Sequence, residues 1–205
     1  MTEQNGKVIF YNKNNGFGNY PAYGLYTEIR NMVEDEHGRL WIGTIDGLMS
    51  IETSFDNVAD IKFETYRQQG RTTFANSDVY TLYKVRQQQI WVGAFGGGLN
   101  ILTGYDAKNK MPEFQSLGER DGLRNDVIFS MTEDRSGIIW FATEAGLSCY
   151  DKQTRRIRNF DRYDGLPVLK MEETSAMLNS NGQIWMGSQQ GLLVFNPEQV
   201  QTNSA

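Results

Sequence analysis

The chain has 205 residues, of which 39% are hydrophobic and 22% are charged, so it contains enough apolar material to build a buried core. Lys and Arg number 20 against 25 Asp and Glu, and no basic run of the kind that follows a phosphate backbone occurs. Nucleic acid is therefore not an expected partner. No run approaches the roughly 18 apolar residues of a membrane-spanning helix, so this segment is expected to make no membrane contact.

The sequence offers little material for catalysis. His37 is the only histidine and Cys149 the only cysteine, which argues against nucleophile systems built on histidine, histidine-cluster metal sites and internal disulfides. No glycine-rich run has the strand-to-helix context of a phosphate-binding loop. We therefore assign no catalytic, metal-binding or cofactor-binding residue, and we do not expect this fragment to be an enzyme.

An internal repeat organises the whole chain. Trp41, Trp91, Trp140 and Trp185 share one short apolar context and follow one another at intervals of 50, 49 and 45 residues. Each is followed six or seven residues later by a Gly-Leu pair that begins another apolar run. Intervals of this size are typical of the blades of β-propellers. The four tryptophans are predicted to form the structural core between blades.

The first elements in the chain are an isolated strand and the first blade. Residues 7–12 align with residues 157–160 of the third repeat, so residues 1–15 are predicted to supply an outer strand, called strand D, that completes the last blade. The first blade is centred on Trp41, with a turn between strands A and B at Asp35-Glu36-His37-Gly38. The glycine supplies the positive φ that a tight hairpin requires.

The second and third blades differ in how closely they follow the pattern. Blade 2 has Arg86-Gln87-Gln88-Gln89 in place of the acidic, glycine-containing turn. Blade 3 is the most regular, with predicted strands A to D at about 127–133, 138–143, 146–150 and 156–161. The alternation of apolar and polar residues, together with these turns, indicates four antiparallel strands per blade.

The fourth blade departs from the pattern in its inner strand A. Glu173 and Ala176 align there with Ile128 and Met131 of blade 3. A carboxylate on an inner strand must face water, a channel or a partner. Since no helical periodicity competes with this interpretation, the fold class is all-β: a β-propeller fragment of four four-stranded antiparallel blades, forming a single region over residues 1–205.

The third blade, from Asn125 to Leu147, resembles the two-component regulator propeller repeat found in periplasmic sensor regions of hybrid histidine kinases. The first blade matches the repeat from Glu34 to Leu48, and blades 2 and 4 match it more loosely. The ending at residues 191–197 is similar to the last blade of such sensors. The resemblance implies a periplasmic module, made of the C-terminal blades of a longer propeller, that acts in a phosphorelay.

A binding surface is expected on one face of the propeller. The loops between strands D and A and between strands B and C share a face around the central axis, and they carry amides, carboxylates, an arginine and an aromatic ring. Such groups recognise sugars through hydrogen bonds and stacking. The predicted ligand-binding residues are Asp46, Phe95, Arg124, Asn125, Glu144, Gln189 and Gln190.

Three functions remain open. The first is a ligand-sensing module that binds a glycan or oligosaccharide and signals through the geometry of a dimer. The second is a protein-interaction scaffold without a small ligand. The third is a fragment of a carbohydrate-active enzyme, because residues 179–185 resemble the Asp-box turn of sialidases. Four blades taken from a larger ring would leave sheet edges and an inter-blade face exposed, so association in pairs is favoured over the alternative, closure of the four blades on themselves.

Overall fold

The computed structural model describes residues 3–4, 7–21, 24–67, 78–106, 108–167 and 170–200. All five sheets in this part of the chain are antiparallel. The described helices are short 3-10 turns, and none is long and apolar enough to cross a membrane. The predicted all-β class is confirmed.

Four sheets are the blades of a propeller, and in each the strands follow one another in space as they do in sequence. Blade 1 contains β3 (Ile29–Glu34), β4 (Arg39–Thr44), β5 (Gly47–Glu52) and β6 (Glu64–Tyr66). Blade 2 contains β7 (Val79–Lys84), β8 (Ile90–Ala94), β9 (Leu99–Asp106) and β10 (Met111–Leu117). Blade 3 contains β11 (Ile128–Glu133), β12 (Ile139–Thr143), β13 (Gly146–Asp151) and β14 (Arg156–Phe160). Blade 4 contains β15 (Met171–Leu178), β16 (Ile184–Ser188) and β17 (Gly191–Phe195).

The fourth blade thus has three strands in the described residues. The N-terminal strands β1 (Glu3–Gln4) and β2 (Lys7–Val8) pair with each other in a separate two-stranded sheet, not with β17. The assignment of residues 1–15 to an outer strand D of the last blade therefore stays a prediction.

Apolar side chains fill the junctions between consecutive blades. Trp41, Trp91 and Trp140 are each about 1% exposed, and each packs in a cluster with residues of the following blade. Trp185 packs against no following blade in the described residues and is only partly buried. Stacking blades face to face therefore buries the large indole rings that a lone blade would leave in water. Cys149 belongs to the same packing, and burial raises the pKa of its thiol to about 11, which keeps it protonated.

The turns between strands A and B have the predicted geometry. The turn glycines Gly38, Gly137 and Gly182 have φ values of 77°, 88° and 83°. In blade 2 the same position is held by Gln88, with a φ of 68°. The hairpin therefore keeps its shape without glycine, at the cost of holding a non-glycine residue in the left-handed region.

Strand A of every blade is interrupted by a β-bulge close to its start. The register with strand B shifts between Ile29 and Asn31, between Val79 and Thr81, and between Ile128 and Ser130, which leaves one residue unpaired in each blade. A bulge turns the unpaired side chain away from the direction that regular alternation dictates.

The corresponding bulge in blade 4 is longer. The shift runs from Met171 to Ala176, and Thr174 within it has a φ of 51°. The prediction that Glu173 aligns with Ile128 was wrong: Met171 pairs with Ser188 as Ile128 pairs with Thr143. Glu173 lies inside the bulge instead, because two extra residues precede Ala176. The alignment of Ala176 with Met131 is correct.

Candidate ligand-binding face

One face of the propeller is formed by the loops between strands B and C together with the starts of strands A. The backbone N–H of Phe95, in the B to C loop of blade 2, donates to the carbonyl of Asp78 at 2.9 Å. In blade 4 the N–H of Gln189 donates to the carbonyl of Lys170 at 2.8 Å. These bonds fix each loop against the entry of its own strand A, and we call the surface that results the loop face.

The bulge residues of the four inner strands meet at the loop face, near the propeller axis. We call this group the axial cluster, and it consists of Arg30, Tyr80, Phe129 and Glu173, with Asp78 and Phe95 beside them. Each blade contributes one bulge side chain of a different chemical type. The cluster therefore joins residues up to 143 positions apart in the sequence.

Arg30 is the centre of the axial cluster. Its Nη1 donates to Oε2 of Glu173 at 2.8 Å, and its Nη2 lies 3.5 Å from Oδ1 of Asp78. Its Cζ lies 4.3 Å from the centroid of the Tyr80 ring, a cation–π contact. The Arg30 side chain is only 16% exposed, and within the described residues its buried Nε has no hydrogen-bond partner. Arg30 thus links blade 1 to blades 2 and 4 and retains one unused donor.

Aromatic rings continue the cluster around the axis. The Tyr80 ring is stacked on Phe129 with centroids 5.6 Å apart and an interplanar angle of 11°. Phe95 meets Tyr80 edge-on at 5.7 Å, and its side chain is 47% exposed. The cluster therefore presents ring surface to solvent beside charged groups.

Partial burial perturbs the acidic groups of the axial cluster. Burial raises the pKa of Asp78 and of Glu173, and nearby Arg30 opposes the rise for both. Burial also raises the pKa of Tyr80, so its phenol remains a hydrogen-bond donor. Carboxylates, a phenol and a guanidinium at one place give donors and acceptors in alternation, which is what a polyhydroxylated ligand needs.

Two predicted ligand-binding residues, Arg124 and Glu144, line a cleft of about 350 Å³ between blades 3 and 4. Arg124 forms an ion pair with Asp161. Arg162, Leu166 and Met171 are among the other lining residues. None of the residues that line this cleft belongs to the axial cluster. Of the predicted ligand-binding residues, Phe95 is the one that lies beside the axial cluster.

The other predicted residues do not converge on one site. Asp46 Oδ2 accepts the backbone N–H of Tyr26 at 2.8 Å, and its Oδ1 pairs with Arg67 at 3.2 Å. Asn125 accepts the N–H of Val127. Asp46 therefore ties its loop to the segments that contain Tyr26 and Arg67, and Asn125 supports the backbone of its own loop.

Gln189 and Gln190 lie together on the exposed loop of blade 4. Gln190 Oε1 accepts the backbone N–H of Lys170 at 2.8 Å. Its amide nitrogen forms no hydrogen bond with the described residues. Because Gln190 is exposed, this donor is accessible to solvent.

Sequence reasoning missed Arg30, Tyr80 and Phe129. Each follows an aliphatic residue at the start of strand A, where regular alternation assigns it no special role. The signal was nevertheless present in the repeat itself: superposing the four tryptophan motifs places Arg30, Tyr80 and Phe129 at one position, and an inner-strand position that changes chemical type between blades indicates a surface.

A second group of residues, in which a carboxylate has a shifted pKa, lies between the outer strands of blades 1 and 2. We call it the Glu64 clasp, and it consists of Glu64 with Arg39, Tyr66, Tyr105 and Lys110. Glu64 Oε2 accepts hydrogen bonds from Tyr105 at 2.6 Å, Arg39 at 2.7 Å and Tyr66 at 3.0 Å, while Oε1 lies 3.1 Å from Lys110 Nζ. Burial disfavours the charged carboxylate, but these bonds outweigh burial and lower the pKa of Glu64 to about 2. The clasp fastens two blades and has no nucleophile.

No group of three or more His, Cys, Asp and Glu side chains suited to a metal ion occurs among the described residues. The loop face offers hydrogen-bonding groups, ring surface and charge.

Comparison with known proteins agrees with the architecture. Residues 24–46 and 122–145 match the model of the two-component regulator propeller. Histidine kinase P4 of Formosa agariphila is 29% identical over 186 residues, which are 88% of this chain and 13% of that protein. This chain therefore spans only a small part of the curated relative that it matches.

Solved structures support the fold. The extracellular domain of BT4673 from B. thetaiotaomicron superposes with a TM-score of 0.60 at 23% identity, covering 90% of this chain and 22% of that one. The extracellular domain of BT3049 from the same organism gives a TM-score of 0.52 at 21% identity, covering 94% of this chain and 29% of that one. The match of residues 24–46 and 122–145 to this repeat model agrees with the resemblance that the sequence predicted.

Proposed function

We propose that this chain is part of an extracytoplasmic sensor of a hybrid two-component histidine kinase, and that its loop face binds a glycan or oligosaccharide. The observation that carries the proposal is the axial cluster, where bulges from four blades bring a guanidinium, carboxylates and exposed ring surface together. Sugars are recognised by stacking on aromatic rings and by planar polar groups that satisfy several hydroxyls at once.

Support for the sensor role comes from the histidine kinase relative and from BT3049, which carries the name of a hybrid two component system. Both are similar to this chain over most of its length. A periplasmic location is part of the same proposal.

Signal transmission in this proposal uses a dimer whose geometry changes when ligand binds. Arg30 links blade 1 to blades 2 and 4, so a ligand that competes for the guanidinium changes how these blades are held together.

Glycan-array screening followed by calorimetry tests the binding. Replacement of Tyr80, Phe95 and Glu173 of the axial cluster by alanine together is expected to abolish or strongly weaken binding. Phe55→Ala is the matched control, because Phe55 is 43% exposed and lies in the loop between strands C and D of blade 1. Undiminished binding in the triple variant would place the ligand elsewhere.

A protein-interaction scaffold is the second candidate, and one observation favours it. Met177 and Leu192 of blade 4 are 55% and 69% exposed. Together with Trp185 they border a largely apolar cleft of about 330 Å³. Apolar surface of this kind marks an interface more often than a sugar site. A chain that binds no glycan but self-associates through this surface would favour the scaffold.

A further inference from the structure

Arginines fasten two of the three junctions between consecutive blades, at the face opposite the loop face. Arg86, second residue of the A to B turn of blade 2, donates from Nη1 to the carbonyl of Arg135 at 2.9 Å. Arg135 has the same position in blade 3, and its Nη2 donates to the carbonyl of Ser180 in blade 4. In both junctions the acceptor is the second residue of the next A to B turn. We call this repeated contact the arginine clamp.

The junction between blades 1 and 2 lacks the clamp. Glu36 holds the position that Arg86 and Arg135 hold in the later turns. The carbonyl of Arg86 is the equivalent acceptor, and in the described residues it accepts only the side-chain amide of Gln88 at a long 3.5 Å. The position that a guanidinium occupies at each of the two later junctions is thus not occupied by one at the junction between blades 1 and 2.

An open cleft of about 540 Å³ lies at this junction. Trp41 and Ile90 are buried beneath it, the partly buried Leu102 supplies apolar surface, and the amide side chains of residues 87–89 belong to its lining. A cleft of this size accepts an extended side chain with part of its backbone.

The charge of the cleft favours a cation. Its lining includes Asp35, Glu36 and Glu52, whereas the one lining guanidinium, Arg39, already pairs with Glu52 and with Glu64. Among the described residues, the ion-pair partner of Glu36 is His37, at 3.7 Å. Its carboxylate is therefore available to an incoming cation.

Lys84 is the one competing cation on the adjoining strand. It has the register position that Glu133 has in blade 3, where Glu133 accepts the backbone N–H of Arg86. Lys84 is exposed and forms no ion pair with the described residues, so it does not occupy the cleft.

We propose that the cleft between blades 1 and 2 binds the arginine side chain of a peptide segment. The guanidinium takes the place of the missing clamp arginine, donates to the carbonyl of Arg86 and pairs with Glu36. The aliphatic stem lies on Leu102. This site is independent of the glycan proposed for the loop face, and it acts at the opposite end of the blades.

Calorimetry with N-acetylarginine amide tests the proposal. Saturable binding is expected, and the citrulline analogue, which has the same shape without the charge, is expected to bind at least roughly tenfold more weakly. Free arginine is also expected to bind more weakly, because its carboxylate meets the acidic lining. Equal or tighter binding of free arginine would overturn the assignment to a peptide.

Variants test the geometry. Glu36→Arg supplies the clamp from within the chain, so it is expected to raise the melting temperature and to lose binding of N-acetylarginine amide. Glu36→Gln keeps the shape of the side chain and is expected to weaken binding several-fold, which preserves the test if Glu36→Arg does not fold. Lys84→Glu places at this junction the carboxylate that Glu133 supplies at the junction between blades 2 and 3, and it is expected to strengthen binding.

Glu198→Arg is the matched control for the same charge change on an exposed 3-10 turn of blade 4, and it is expected to bind like the unmodified chain. No saturable binding by the unmodified chain, or equal binding by folded Glu36→Arg, overturns the proposal.

Discussion

At the scale of single residues, the repeated tryptophans need a hydrogen-bond acceptor for each buried indole N–H. In three blades a side-chain oxygen from the A to B turn accepts it. The pairs are Trp41 with Asp35 at 2.8 Å, Trp91 with Gln89 at 3.1 Å and Trp140 with Asp134 at 2.8 Å. The same aspartates also accept backbone N–H groups of their turns, so each one ties a hairpin to the core.

The fourth tryptophan offers a test of this bond. Trp185 Nε1 is buried without a partner in the described residues, because Asn179 stands where blades 1 and 3 have aspartate and its Nδ2 donates to Gln183 Oε1. Asn179→Asp should supply the missing acceptor and raise the free energy of unfolding by about 1 kcal/mol. Denaturant titration measures the change, with Asn181→Asp in the same turn as control. An unchanged or lower stability would contradict the role given to the turn aspartate.

The Glu64 clasp predicts a dependence of stability on pH. The pKa of Glu64 is lowered to about 2 in the folded chain from an ordinary value of 4.5, so the folded state favours the charged carboxylate. This contribution is therefore complete above about pH 5 and is lost as the pH falls towards 2.

Glu64→Gln should lower stability at pH 7, and its difference from the unmodified chain should shrink between about pH 5 and pH 2. Denaturant titrations across this range measure it. Glu113→Gln, on an exposed position of β10, is the control. A difference that stays constant with pH would show that the clasp acts through packing and not through charge.

At the scale of elements, the A to B turn of blade 2 stores strain that the other turns avoid. Gln88 has a φ of 68°, whereas the equivalent residues of the other blades are glycines. A residue with a Cβ is destabilised by roughly 1 to 2 kcal/mol in the left-handed region, and glycine is not. Glycine loses more backbone entropy on folding, which offsets part of this difference. Gln88→Gly should therefore stabilise the chain by about 1 kcal/mol. Thermal unfolding measures the gain. Gln87→Gly, in the same turn, should not stabilise, and equal effects would refute the explanation.

The elements also show what the sequence reveals and what it hides. The strands of blade 3 start and end within one residue of their predicted bounds, because glycine turns and apolar alternation are local signals. The bulges are not local: they follow from pairing with strand B, and one unpaired residue leaves little trace in the alternation. This is why Glu173 was misaligned by two residues.

The candidate site was harder to predict than the blades for the same reason. Phe95 was identified from its exposed loop, but its neighbour Tyr80 is an inner-strand residue that only a bulge directs towards the loop face. The contact between Arg30 and Glu173 joins the first blade to the last, and no local pattern encodes it.

At the scale of the whole molecule, blade 4 exposes the face that blade 3 buries. Leu147 and Cys149 of blade 3 are 4% and 1% exposed beneath blade 4. Their register equivalents in blade 4 are Leu192 and Val194, which are 69% and 38% exposed. The surface is therefore already shaped to receive another sheet, and self-association is the proposal that fits it.

Replacing Leu192 by Asp should weaken this association, since a charge at its centre would have to be desolvated. Light scattering over a range of concentrations should show masses above 23.4 kDa for the unmodified chain and a shift towards that monomer value for the variant. Phe55→Asp, which changes an exposed ring of blade 1, should leave the mass distribution unchanged. A strictly monomeric unmodified chain at high concentration would refute the proposal.

The bulges have a consequence for how such a molecule diversifies. Repeated duplication makes blades alike, since every copy inherits the same constraints on its packing faces. An unpaired residue lies outside those constraints, so exchanging Arg30, Tyr80 or Phe129 leaves the register of the sheet intact. Substitutions at these positions can therefore change the surface around the axis one blade at a time. A symmetric scaffold acquires an asymmetric surface in this way, and the binding specificity of that surface evolves separately from the stability of the fold.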